Sequence, residues 1–172
     1  SSPLPPLGTS LQALEVARAE MEFWLPISEW DLGAIDELCR QHILPGRDRP
    51  LLQARSLRGM LMGYADLVCQ HEGRYWVLDY KSNSLGSGPQ NYEAPQLEQA
   101  ILEHRYDVQA LIYLQALDGL LRSRLGVAYQ AEQHLGGALF VFLRGMDNSN
   151  RGCLVMQGAL NALAALQQQY PS

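Results

Sequence analysis

The chain has 172 residues, 47% apolar and 18% charged, with a net charge of −5 and a pI near 5.3. This balance suits one globular domain with a core of its own, and it lacks the basic footprint of a module that grips nucleic acid unaided. Three scattered cysteines without a CxxC pair argue against a disulfide framework or zinc site, and no run approaches the ~18 apolar residues of a membrane span or opens like a signal peptide, so a reducing, cytoplasmic setting is expected.

In chain order, residues 1–9 are proline-rich and read as a flexible tether, with one domain over 10–172. The missing initial methionine and the abrupt end after Pro171 suggest a piece cut from something longer. LQALEVARAEMEF, from Leu11, is at first helix-compatible, with Ser10 as a possible N-cap. It then alternates, predicting a short helix or extended lead-in followed by a strand that ends at Pro26. Glu20 and Glu22 share one side of that strand, either turned toward a site or simply solvated. Ser28 to Ile43 carries Leu32, Ile35, Leu38 and Cys39 at helical spacing and reads as a structural amphipathic helix. After the loop PGRDRP, Leu51 to Arg58 is expected to lead into a long strand holding Met60, Met62 and Asp66.

The stretch Gly63 to Asn83 organises the rest. Tyr64 to Gln70 and Tyr75 to Tyr80 are rich in β-branched and aromatic residues and flank Glu72-Gly73, a possible two-residue turn. With those two as the loop, Val68 faces Val77 and Asp66 faces Asp79. Strand alternation then puts Lys81 on the face of Asp79, diagonal to Asp66. Opposed carboxylates repel, so a cation belongs there: Lys81 in part, and a hard divalent ion such as magnesium for the rest. The alternative is a bulge that shifts the register and leaves both aspartates solvated.

Ser82 to Pro95, rich in Ser, Gly, Asn and Pro, forms a loop beside this face, either a gate or a plain linker. Gln96 to Leu125 reads as one long helix packed on the sheet. Arg105, Gln109 and Tyr113 lie four apart, as a polar stripe toward a ligand or as a tyrosine rim with an exposed glutamine. Gly136-Gly137 is expected to break the chain before a buried strand, ALFVFL, and Val155 to Tyr170 to form a last helix with Leu160, Leu163, Ala164 and Leu166 inward. The four histidines show no HxxxH spacing, and no Ser-His-Asp or Cys-His grouping supports side-chain nucleophilic catalysis.

The succession Glu20 in AEMEF, Asp66 in GYADL, Asp79 and Lys81 in LDYKSN, and Gln109 with Tyr113 in QALIY resembles the RecB-type branch of the PD-(D/E)XK nucleases. Further phrases, RGMLMGYADLVCQHEGRYWVLDYKSNSLG, HRYDVQ and HLGGALFVFLRGMD, extend the likeness from about Glu20 to the end, least over Asp31 to Arg55. The resemblance implies an α/β fold with a restriction-endonuclease-like core, a central mixed sheet flanked by helices. It implies magnesium bound by Asp66, Asp79 and the Tyr80 backbone carbonyl, with Lys81 orienting or deprotonating the attacking water. Glu20, Gln109 and Tyr113 would support the site or contact DNA. It also implies cleavage of DNA unwound by a parent helicase in double-strand-break repair and recombination, with RecC and RecD as companion subunits and RecA as a further partner. The family's site adds a histidine from a helix upstream of the Glu20 strand, whereas the first histidine here is His42, so the chain is expected to begin downstream of that helix. The alternative function is a non-catalytic docking module that recruits RecA.

Overall fold

The computed structural model describes residues 3–4, 9–10, 15–24, 31–146 and 152–171, and side chains from residue 31 onward except 62–64. Most of the expected tether lies outside these residues, although Pro3–Leu4 (β1) and Thr9–Ser10 (β2) pair antiparallel. The centre is a five-stranded sheet in chain order: β3 (Glu15–Trp24), β4 (Met62–His71), β5 (Arg74–Lys81), β6 (Leu135–Phe142) and β7 (Cys153–Val155). Every neighbouring pair is antiparallel except β5 and β6, which run parallel. A parallel pair needs a crossover, and here it is supplied by the helices α3 (Ala94–His104), α4 (Tyr106–Leu125) and α5 (Ala131–His134).

The main core lies between the sheet and the helices. Val68, Val77, Ala138, Phe140 and Phe142 from the strands meet Leu111, Ile112, Leu114 and Leu117 of α4. Helices α1 (Leu32–His42) and α6 (Ala159–Gln169) add Ile35, Leu38, Leu163 and Leu166. Each such side chain taken from water contributes about 1.5–3 kcal/mol. A smaller cluster of Cys69, Leu78, Leu139 and Val141 occupies the opposite face with Trp76, Tyr80 and Met146 against it. The chain is therefore an α/β protein with a mixed sheet flanked by helices, consistent with a restriction-endonuclease-like core.

Several elements depart from the sequence reading. Residues 54–61 form a helix, α2 (Ala54–Leu61), instead of the start of a strand. Met60 and Met62 suggested alternation, but Leu57 and Leu61 are the buried pair, one helical turn apart. The lead-in is strand from Glu15, with residues 11–14 outside the described set. The long helix is two helices, because Arg105 adopts a left-handed conformation (φ 55°) that caps α3 and opens α4. Such a backbone costs a non-glycine residue about 1–2 kcal/mol. It persists because the Arg105 guanidinium is tied to Asp36, Asp107 and the Pro50 carbonyl.

Gly136 and Gly137 lie within β6 instead of breaking the chain before it. The Trp76 ring lies against them so closely that a Cβ on Gly136 would come within 2.3 Å of it, so the glycines make room for an aromatic ring. Ahead of the last helix, 153–155 is the edge strand, and Leu160 is 39% exposed, outside the core assigned to it.

Candidate active site

Glu72 (φ 52°) and Gly73 (φ 78°) both have positive φ, the geometry of a two-residue hairpin turn whose twist matches the strands. The ladder runs His71 to Arg74, Val68 to Val77 and Leu67 to Leu78 without a bulge. One step further the strands part, and the Asp66 carboxylate accepts the Tyr80 N–H at 2.8 Å. Asp66 and Asp79 thus sit on the helix-packed face, at the end of the hairpin where the ladder opens.

Asp79 is 5% exposed, and burial pushes its carboxyl up to about 6; Lys81 opposes that rise and Asp66 adds to it. Lys81 Nζ lies 2.5 Å from Asp79 Oδ2 and donates to Gln109 Oε1 at 2.6 Å. Beyond that ion pair, Asp79 Oδ2 has no hydrogen-bond donor among the described residues. Tyr113, 3% exposed on the same side of α4 as Gln109, has its phenol pushed well above the ordinary range by burial and by Asp79 and Asp66. It stays protonated and can only act as a neutral hydroxyl. Asp66, Asp79, Lys81, Gln109 and Tyr113 are therefore brought together.

Two expectations have a different outcome. Arg105 does not join the stripe with Gln109 and Tyr113, because its guanidinium turns into the buried ion pairs with Asp36 and Asp107. The loop after Lys81 is fastened. Asn83 Nδ2 donates to the Tyr106 hydroxyl (3.1 Å), Leu85 N to the Tyr92 hydroxyl (3.1 Å), and Arg144 Nε to the Ser82 carbonyl (2.8 Å).

Glu20 sits between the paired residues Ala19 with Leu67 and Met21 with Ala65, so its backbone lies across from Asp66. The Glu20 side chain is outside the described set.

Sequence reasoning missed Tyr106. Its ring stacks on Phe140 (5.9 Å) and His104 (5.2 Å), and Lys81 Nζ stands 3.9 Å from its centroid. Tyr106, Gln109 and Tyr113 fall at i, i+3 and i+7, one helical face, so the signal was present in the spacing.

Whether these groups suit a metal is a matter of donors. Two carboxylates and a strand carbonyl are hard oxygen ligands, and magnesium commonly takes only one or two carboxylates while keeping waters. Asp66 and Asp79, neighbouring carboxylates of which, among the described residues, only Asp79 has an ion pair, fit that need. Among the described residues no three His, Cys, Asp or Glu side chains converge, and the candidate site brings together two carboxylates.

No protein-family model matches the chain. It is 43% identical over 152 residues to the RecBCD enzyme subunit RecB of Escherichia coli (strain K12), a match covering 87% of this chain and 13% of that protein. The Haemophilus influenzae subunit of the same name is 39% identical over 130 residues (74% of this chain, 10% of that protein). That of Mycobacterium tuberculosis (strain ATCC 25618 / H37Rv) is 36% identical over 169 residues (82% and 15%). The chain thus spans a small part of the length of these relatives. By these matches the chain belongs to the RecB family, as the counterpart of one region of that subunit.

Proposed function

We propose that the chain is a magnesium-dependent nuclease region that hydrolyses phosphodiester bonds of DNA. The observation that carries this reading is the meeting of two carboxylates, an ammonium and a glutamine at one end of a hairpin, with negative charge in excess. Asp66, Asp79 and the Tyr80 carbonyl would hold the metal, and when bound it would acidify a water and polarise the phosphoryl oxygen. The chain's own groups do the rest. The Lys81 ammonium, held by Asp79 and Gln109, offers a fixed positive charge where a phosphate gains negative charge, and fixed charges need no reorganisation during reaction. Tyr113 supplies a neutral hydroxyl beside the carboxylates, and Phe140 and Tyr106 keep water from one side of the ammonium. Glu20, across from Asp66 on β3, is a further support.

The acidic charge of the chain fits a catalytic region whose DNA is presented by other parts of a larger assembly, since carboxylates for a metal are local. Its partners would then be DNA ends, RecC and RecD, with RecA a further one. The test is cleavage of linear single-stranded DNA with magnesium, with EDTA, and by Lys81→Ala. Cleavage that needs the metal and disappears in Lys81→Ala supports the proposal; metal-independent cleavage, or equal cleavage by Lys81→Ala, overturns it.

A further inference from the structure

Lys81 is the only lysine of the sequence; every other cationic side chain apart from histidine is an arginine. An ammonium is a compact point charge on a flexible four-carbon stem, so its position depends on what surrounds it. Three groups surround Nζ: Asp79 Oδ2 at 2.5 Å, Gln109 Oε1 at 2.6 Å and the Tyr106 ring, 3.9 Å to its centroid. Phe140 lies behind, at 5.4 Å. The Tyr106 ring is itself held. It stacks on His104 and Phe140, its hydroxyl exchanges hydrogen bonds with Asn83 (3.1 and 3.2 Å), and its backbone lies between Arg105 and Asp107 of the buried ion-pair network.

We propose that Tyr106 is a positioning residue for Lys81: its ring holds the ammonium by a cation–π contact in line with Asp79 and Gln109, and the Tyr106–Asn83 bond ties that placement to the loop leaving β5. Asp79 on β5 and Gln109 on α4 hold the ammonium by short contacts to single oxygens, which leave the apolar part of its surroundings to the ring. The face of a ring adds a broad, non-directional attraction that leaves a proton-donating side of the ammonium available. The consequence for phosphodiester hydrolysis rests on the function proposed above; the placement of the ammonium does not.

Because Lys81 is the sole lysine, its exposure can be read directly by amine acylation with a small N-hydroxysuccinimide ester, following the Lys81 peptide by mass spectrometry. In the unsubstituted chain the peptide should label slowly. Tyr106→Leu, which keeps apolar bulk and removes the π face, should label about tenfold faster, and Tyr106→Phe, which keeps the face, within about threefold of the parent. Asn83→Ala should fall between them. Where the parent cleaves DNA, Tyr106→Leu should lower kcat about tenfold with KM nearly unchanged, and Tyr106→Phe should restore most of it.

A Tyr106→Leu protein that unfolds earlier yet labels at the parent's rate while folded would mean the ring only packs the core, and would overturn the inference. Should Tyr106→Leu fail to fold, Asn83→Ala decides: labelling at the parent's rate counts against the tie and faster labelling supports it. Accelerated labelling in a chain that never cleaves DNA would leave the placement standing while the nuclease reading falls.

Discussion

Two ionic clusters in this molecule are built on opposite plans. At the junction of α1, the 44–52 segment and the α3–α4 break, Arg49 pairs with Asp107 (2.9 Å), Arg105 with both Asp107 (3.1 Å) and Asp36 (2.7 Å), and Arg40 with Asp36 (3.0 Å). Spare donors go to the carbonyls of Cys39, Leu44, Arg49 and Pro50. Three cations thus serve two carboxylates, and each carboxylate oxygen involved is accepted for. At the hairpin end, the ion pair of Lys81 is with Asp79, while Asp66 takes the Tyr80 backbone N–H. A saturated cluster fixes a fold; one with carboxylate charge in excess would, on the function proposed above, take up a cation.

The carboxylates register the difference. Burial acts to raise Asp36, but the Arg105 contact, the Leu52 N–H and Arg40 outweigh it, and the group ends below its ordinary value. Burial raises Asp79 as well, and there a single lysine fails to bring it back.

The contrast can be broken at the saturated cluster first. Arg105→Ala strands Asp36 and Asp107 in the interior and also removes the anchor of a left-handed residue, so a loss of about 3–5 kcal/mol is expected. Thermal denaturation should show it as a midpoint lower by roughly 10 °C; a fall of only a degree or two would mean that the network is ornamental. At the hairpin, Lys81→Ala should cut the DNA hydrolysis rate by about 100- to 1,000-fold, while leaving the far-ultraviolet circular dichroism unchanged.

Asp79→Asn sharpens the comparison in the other direction. It removes a charge that burial disfavours, so chemical denaturation should report a gain of about 1–3 kcal/mol at pH 7. Divalent-ion binding, followed by calorimetry, should weaken at the same time. A loss of stability would show that Asp79 is structural, like Asp36.

The smallest effect is in pH. The Asp79 carboxyl, near 6 folded and 3.8 in the free side chain, takes its proton in the folded chain first. Its charge therefore costs stability above pH 6, and that cost fades as the pH falls from 6 toward 3.8. Asp36 behaves oppositely, stabilising above 3.8 and losing that contribution only as pH drops through its lowered folded value. The stability advantage of Asp79→Asn over the parent should accordingly shrink between pH 7 and pH 5; an advantage that stays constant would contradict the raised carboxyl.

Much of this was legible in the residues because hairpins carry their register with them. Once Glu72-Gly73 is the turn, every partner from His71 to Leu67 is fixed by counting, and the positions of Asp66, Asp79 and Lys81 follow. The mixed sheet was expected from the family resemblance, and the strand order with one parallel pair agrees with it. What escaped depends on distant groups. Nothing local in EHRYDVQ announces a helix break at Arg105; the break is held by Asp36, far away in sequence. Likewise Gly136-Gly137 looked like punctuation because the Trp76 ring that fills the space lies on another strand. Tyr106 escaped because an aromatic facing an ammonium and one facing leucines have the same spacing.

One backbone bond at the site has a spectroscopic meaning. The Tyr80 amide proton is given to a side-chain carboxylate, that of Asp66, instead of to a neighbouring strand. In a ladder an amide reports on the sheet, and its exchange with solvent waits for the strands to open. Here the amide resonance of Tyr80 would instead follow the charge on Asp66, shifting as that carboxylate turns toward a cation. A single labelled amide then serves as a gauge of site loading, readable in a chain that has no DNA bound and performs no turnover.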